Sequence, residues 1–281
     1  MKFENTQVMN LEGAFRGLRN PLESWDKSDS QFGIAELEYC DYDYEVAANY
    51  INANEKYDFD EEYDKWYEAN EKYAEWLRKN GVLNCNYNHN AVEYAFLGPK
   101  DLDLAQRMIK AGTSDRKFMR QILVSVDITG PLYWYKEFDT YKIATVANST
   151  STMHKLASTP ITMDCFETDD YVGNLKVYDN EPYNIDSIVD YCWEDIINIC
   201  ETLRNRYNET KDKRYWKELI RILPEGWLQT RTVTLNYEVL RNIYFQRRYH
   251  KLTEWHQFCK WIEELPYGKE LITWQPPVKT T

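Results

Sequence analysis

Residues 221–264 read RILPEGWLQTRTVTLNYEVLRNIYFQRRYHKLTEWHQFCKWIEE, and this stretch decides the fold. A helix over 215–223 ends at Leu223-Pro224, because proline has no N–H to donate and its ring clashes with the preceding turn. After a gap a second helix begins, carrying Asn236, Asn242 and Arg247, and a third, rich in Trp and His, follows at once. Asn236, Leu240, Ile243 and Arg247 stand at i, i+4, i+7 and i+11 and therefore share one helical face. An Asn and an Arg in an apolar stripe must reach solvent or meet a polar group, since a buried, unpaired guanidinium is costly. That pattern suits a helix that reads a nucleotide. The structural alternatives are a helix cap for Asn236, and for Arg247 an ion pair or plain exposure at a helix end beside Arg248.

Working outward, residues 115–155 read DRKFMRQILVSVDITGPLYWYKEFDTYKIATVANSTSTMHK. The alternation over 121–129 predicts a strand. Together the two stretches resemble the flavin-dependent thymidylate synthases (ThyX). That family has a Leu-Pro, then an Asn, a second Asn six residues on and an Arg five further, matched here by Leu223-Pro224, Asn236, Asn242 and Arg247 without insertion. The upstream stretch lies without gaps along the segment that ends in the family signature RHRxxSxxExSxR, with Pro131 and the Ile143-Ala144 pair in register. The signature residues themselves are replaced. Arg-His-Arg becomes Thr140-Tyr141-Lys142, the first Ser becomes Thr145, the Glu becomes Asn148, the second Ser becomes Thr150 and the last Arg becomes Thr152. The family's Arg just before Leu-Pro falls on Ile220, with Arg221 one position late. The resemblance spans two separated stretches between residues 115 and 264.

The resemblance implies an α+β, ThyX-like fold, helix-rich with a central antiparallel sheet. It implies a homotetramer with active sites at subunit interfaces, FAD as cofactor and dUMP as the bound pyrimidine nucleotide. The implied reaction is reductive methylation at uracil C5, with methylenetetrahydrofolate as carbon donor and NADPH as hydride source. The flavin carries the redox work, so the protein supplies positioning and electrostatics. Carried over residue by residue, Arg247 is the pyrimidine-contacting and catalytic group. Asn148, Thr150 and Thr152 are further substrate contacts, and Asn236, Asn242, Tyr141, Lys142 and Thr145 are cofactor contacts. A guanidinium suits the first role because its fixed fork meets a carbonyl and stabilises negative charge on the ring. Each charge-assisted bond to an anion lost with the signature costs about 1.5–3 kcal/mol, a loss that Lys142 offsets in part. Tyr133, Trp134 and Tyr135 either stack on a ring or form core.

The remaining sequence bounds the function. Among 281 residues, 34 basic against 46 acidic side chains give a net charge of −12. That balance argues against nonspecific DNA or RNA binding, which rests on phosphate neutralisation. No run approaches a membrane span. The opening residues MKFENTQVMNLEGAFRG have no apolar signal-peptide core, and the six cysteines show no CxxC spacing, so a cytoplasmic protein with reduced thiols is expected. Cys85 and His89 lack a second ligand pair, and no metal is expected. The 23 Tyr and 10 Trp fit an amphipathic core or an oligomer interface.

A single domain over 1–281 is expected, with residues 41–80 as an acidic, aromatic helical embellishment. Within it Phe59, Tyr63, Trp66, Asn70, Tyr73 and Leu77 repeat at helical steps over 55–79. Short or long helices are predicted over 105–111 and 185–208, and extended chain over 158–163 and 173–178. Gly13, Gly17, Asn20 and Pro21 predict turns over 11–30. Arg16 and Arg19 there grip a phosphate or face acidic neighbours on the surface.

Two functions follow. In one, the chain is a divergent flavin enzyme acting on a pyrimidine nucleotide. In the other, the scaffold is a noncatalytic nucleotide-binding or assembly module. A chance spacing on an unrelated helical fold is the third possibility.

Overall fold

A computed structural model describes residues 1–36, 91–151, 155–169 and 188–277. The embellishment over 41–80, Cys85 and His89, Thr152, and the stretch 173–178 lie outside the described residues.

The elements are β1 (Lys2–Met9), α1 (Leu11–Arg19), β2 (Gln31–Glu36), β3 (Ala91–Phe96), α2 (Pro99–Ala111), β4 (Leu123–Pro131), α3 (Leu132–Phe138) and β5 (Val146–Ser149). There follow α4 (Ile188–Thr210), α5 (Lys213–Ile222), β6 (Leu228–Asn236), α6 (Tyr237–Arg247) and α7 (Thr253–Glu264), then a π-helical turn at Gly268–Ile272. Four strands form one sheet in the order β1-β4-β6-β5, and β2 pairs antiparallel with β3, from Gln31 opposite Phe96 to Glu36 opposite Ala91. The chain divides into two compact units, residues 1–4, 127–142 and 147–233 in the first and 5–126, 143–146 and 234–281 in the second. Strands β1, β4, β5 and β6 each contribute residues to both.

In β4 the period-two pattern is fully expressed. Val124, Val126 and Ile128 are inaccessible to solvent, while Ser125, Asp127 and Thr129 between them are partly exposed. Pro131 ends the strand and opens α3, where its missing N–H is no loss because the first turn of a helix leaves its N–H groups unpaired anyway.

The first unit packs Leu156, Ile161, Phe166, Cys200 and Leu219 against Trp193, Ile196, Leu203 and Trp227, with α4 beside α5. Phe166 meets the Trp193 and Trp227 rings at 5.2 and 5.5 Å. The chain before α4 is tied to that helix. Glu201 accepts the Ile161 N–H at 2.8 Å and is gripped by Arg204, and Asn208 donates to the Ala157 carbonyl. Over 158–163 no strand forms: Ser158 is in a turn, Thr159 in a bend, residues 160–162 are irregular with Thr162 extended, and a short 3-10 turn follows at Met163–Cys165.

The second unit buries Leu11, Phe15, Phe118, Ile122, Leu240, Ile243, Trp255, Phe258 and Ile262. The glycines expected to break up residues 11–30 sit inside α1. They serve close approach instead: a Cβ on Gly13 would lie 2.1 Å from Asn10 Oδ1, and one on Gly17 would lie 2.7 Å from Gln121 Oε1. Arg19 does face a carboxylate, but inside the protein. It donates to Asp101 at 2.5 Å, both groups being buried, and Ser28 and Ser30 donate to the other oxygen of Asp101. Burial alone would push the Asp101 carboxyl up; these hydrogen bonds and the Arg19 charge hold it below the usual range. Among the described residues no helix is long and apolar enough to cross a membrane.

Candidate functional site

Helix α6 carries three of the residues singled out by sequence. Asn236 ends β6 with extended backbone and caps the helix, its Oδ1 accepting the Val239 N–H at 3.0 Å. The residue is 5% exposed, so this bond satisfies a donor that water cannot reach. Two residues on, buried Glu238 takes a two-pronged bond from Arg116 at 2.8 and 3.1 Å. The carboxylate also sits where the helix dipole favours negative charge. Leu240 and Ile243 are fully buried, which makes the face shared by Asn236, Leu240, Ile243 and Arg247 the core face. Asn242 lies off it and is exposed.

Arg247 is the last residue of α6 and is half-buried. Its guanidinium carbon lies 4.8 Å from the centre of the Trp255 ring, itself inaccessible to solvent at the start of α7. From Asn236 to Arg247 the helix rises roughly 16 Å. Next door, the Arg248 guanidinium lies 4.9 Å from the Phe245 ring and 4.8 Å from that of Tyr249, and its buried Nε has no hydrogen-bond partner among the described residues.

Thr145 belongs to the same unit. It follows Ala144, whose φ of 57° is left-handed and strained for a residue with a Cβ. The Thr145 Oγ1 is buried without a hydrogen-bond partner among the described residues. A hydroxyl so placed is costly unless something supplies the missing bond.

The other predicted residues fall in the first unit. Tyr141 is half-buried, and Lys142 and Asn148 are exposed. Thr150 is exposed but engaged with β6. Its N–H donates to the Thr230 carbonyl at 2.9 Å, its carbonyl accepts from Gln229 Nε2 at 2.9 Å, and its hydroxyl accepts the Thr230 N–H at 3.3 Å. Thr152 lies outside the described residues. Of the aromatic run, Trp134 and Tyr135 are core, Trp134 stacking on Phe138 at 4.9 Å and the Tyr135 hydroxyl donating to the Ile128 carbonyl at 2.6 Å. Burial pushes the Tyr135 phenol well above its ordinary pKa.

Sequence reasoning missed Arg231. Its guanidinium lies 3.8 Å from the Tyr135 ring centre and donates to Asp139 at 2.7 Å and to Gln229 at 2.9 Å. The one signal was a lone Arg in a Thr-rich strand. Among the described residues no group of three or more His, Cys, Asp or Glu side chains is placed to hold a metal ion, and Cys165, Cys192, Cys200 and Cys259 are free thiols.

No family model and no curated protein sequence matches the chain. Solved structures do. A crystal structure of Helicobacter pylori thymidylate synthase X with FAD and dUMP superposes with a TM-score of 0.53 at 14% identity, covering 97% of this chain and 97% of its own. A second structure of the H. pylori enzyme, also complexed with FAD and dUMP, gives 0.54 at 14% identity, covering 97% of this chain and 98% of its own. The fold is the ThyX fold. The likeness reaches across nearly the whole chain, where the sequence resemblance spans two stretches between residues 115 and 264. It removes the reading in which the Asn-Asn-Arg spacing is chance on an unrelated helical scaffold. At this identity a ThyX fold is what the likeness establishes, and the chemistry has to be argued from the side chains.

Proposed function

We propose that this chain binds a pyrimidine nucleotide of the dUMP type through Arg247, and that FAD is its cofactor. One observation carries the reading. Arg247 is half-buried at the end of α6 with its guanidinium 4.8 Å from the Trp255 ring centre, in a chain whose fold is that of ThyX enzymes solved with FAD and dUMP.

The residues of this unit fit both ligands chemically. Arg247 offers in-plane N–H donors to a uracil carbonyl and a positive charge to balance negative charge developing on the ring. Asn242 presents an exposed amide. The Thr145 hydroxyl, buried and without an acceptor among the described residues, is suited to a ligand oxygen or nitrogen. Asn236 contributes chiefly by fixing where α6 begins, with its Nδ2 left to donate. When bound, FAD supplies the electron transfer that no side chain here provides. The implied reaction is reductive methylation at uracil C5, which also requires methylenetetrahydrofolate and NADPH.

The test is calorimetric titration of dUMP into the purified protein and its Arg247→Ala variant, with FAD present. Loss of a charge-assisted hydrogen bond predicts a roughly ten- to hundred-fold weaker dUMP affinity with the melting temperature little changed. Equal affinities in two equally stable proteins would end the pyrimidine-site reading. Oxidation of NADPH that requires both dUMP and methylenetetrahydrofolate tests turnover separately.

A further inference from the structure

We propose that Arg248 and Tyr249, on the turn that follows α6, form a site for a second nucleotide, with Arg248 taking a phosphate and Tyr249 lying against the base. Residues 246–260 read QRRYHKLTEWHQFCK. Arg247, Arg248, Lys251 and Lys260 stand there against a single acidic residue, Glu254, in a chain whose net charge is −12. Glu254 is buried, which leaves the exposed part of this stretch positive. A local positive surface holds an anion even on a molecule that repels it as a whole. The turn is fixed in shape: the His250 N–H donates to the Arg247 carbonyl at 2.9 Å and the Leu252 N–H to His250 Nδ1 at 3.2 Å.

The Arg248 guanidinium makes no hydrogen bond and no ion pair among the described residues, and its Nε is buried. A charge held partly out of water costs free energy until an opposite charge reaches it. Glu263 acts on the same Tyr244 and Cys259 side chains as Arg248 does, but it takes the Tyr244 hydroxyl at 2.5 Å and forms no ion pair with Arg248. Around the guanidinium carbon the ring centres of Tyr249, Phe245 and Tyr244 lie at 4.8, 4.9 and 6.0 Å. The side chain is still partly exposed, so an anion reaches it from solvent, and a guanidinium donates in a fixed fork that matches two phosphate oxygens. Tyr249 supplies the other half. It is 84% exposed, so a planar base finds ring surface to lie against even with Arg248 beside it. Phosphate on a guanidinium and base on the adjacent ring suit a nucleotide, where inorganic phosphate would satisfy only the first. In the reaction proposed above the reduced nicotinamide dinucleotide NADPH is a ligand of this class, and in naming it as the occupant the inference rests on that reading.

The experiment titrates NADP+, which has no hydride to give, into the full chain with FAD and dUMP present and follows the heat released. Parent, Arg248→Gln and Tyr249→Leu proteins are compared, with inorganic phosphate as a second probe. The parent should bind NADP+ more than ten-fold more tightly than phosphate. Arg248→Gln should weaken NADP+ roughly ten- to hundred-fold, the worth of a charge-assisted bond. Tyr249→Leu should weaken NADP+ roughly five- to thirty-fold and leave phosphate binding level. Because Tyr249 is exposed, its replacement tests the site even should Arg248→Gln lose stability. NADP+ that binds both variants as it binds the parent, or phosphate that binds as tightly as NADP+, overturns the inference. A parent that binds dUMP but not NADP+ overturns it alone; a parent that binds neither overturns it together with the reading beneath it.

Discussion

Replacing Asn236 separates two roles that one side chain carries through two atoms. Its Oδ1 accepts the Val239 N–H at 3.0 Å and its Nδ2 is what remains to offer a ligand. Asn236→Ala removes both. Loss of an N-cap costs about 0.5–2 kcal/mol, and the upper half of that range applies because the site is 5% exposed and water cannot replace the acceptor. Helix α6 would then hold a buried, unpaired N–H beside the Arg116–Glu238 pair. Asn236→Ser keeps an oxygen at the capping position and removes the amide donors. Urea unfolding without ligand should show a loss of about 1–2 kcal/mol for the Ala variant and under about 0.5 kcal/mol for Ser. FAD titration followed by flavin fluorescence should show the Ser variant binding about five-fold more weakly, the worth of one hydrogen bond. An Ala variant as stable as the parent would refute the capping argument. A Ser variant that is both stable and undiminished in FAD affinity would confine Asn236 to the cap.

Two further perturbations probe the frame behind α6. Asp101→Ala strands the buried Arg19 guanidinium and the Ser28 and Ser30 hydroxyls, and should cost about 3–5 kcal/mol in urea unfolding at neutral pH. Because the folded state holds the Asp101 carboxyl below its ordinary pKa, its contribution is present above the unfolded value near about 3.9 and is lost as pH falls through the folded value. The stability gap between parent and Asp101→Asn should therefore be constant near neutrality and close below about pH 4; a gap that widens in acid would contradict the assignment. Arg241 donates to the carbonyls of Ile272 and Trp274 at 2.6 and 2.8 Å, and burial, aided by the Arg116 charge, pushes its pKa down to about 10, so it remains charged at neutral pH. Arg241→Met should cost about 3 kcal/mol and speed amide exchange at the Gly268–Ile272 turn; unchanged exchange there would show that the turn holds itself.

What the sequence disclosed follows the range over which each feature is determined. Strand β4 and helices α4 to α7 were legible because a period-two or helical stripe is set by neighbours within a few residues, with Pro131 ending β4 and Pro224 following α5. Strand β6 was missed because polar Gln229 and Arg231 share the buried side with Val233 and Leu235 and leave only two apolar residues to mark the alternation. What makes it a strand is its place between β4 and β5, a partner choice no local window contains. Helix α1 was misread for the same reason, its two glycines answering to Asn10 and Gln121 and not to a need for turns.

The candidate site divides along the same line. The spacing from Asn236 through Asn242 to Arg247 survives in sequence because one helix carries all three. The atoms that decide what the helix can do come from elsewhere in the unit. Trp255 lies under Arg247 only because a turn held by His250 and Leu252 reverses the chain, and Glu238 is tolerated in the buried first turn only because Arg116 reaches it. Thr140, Tyr141 and Lys142 bring one positive charge to the stretch before β5, while α6 has a cap, a buried face and a terminal guanidinium. The guanidinium over the Trp255 ring is the group on this helix whose chemistry suits a uracil carbonyl. The dUMP affinity of the Arg247→Ala protein, read beside its stability, separates that role from a structural one.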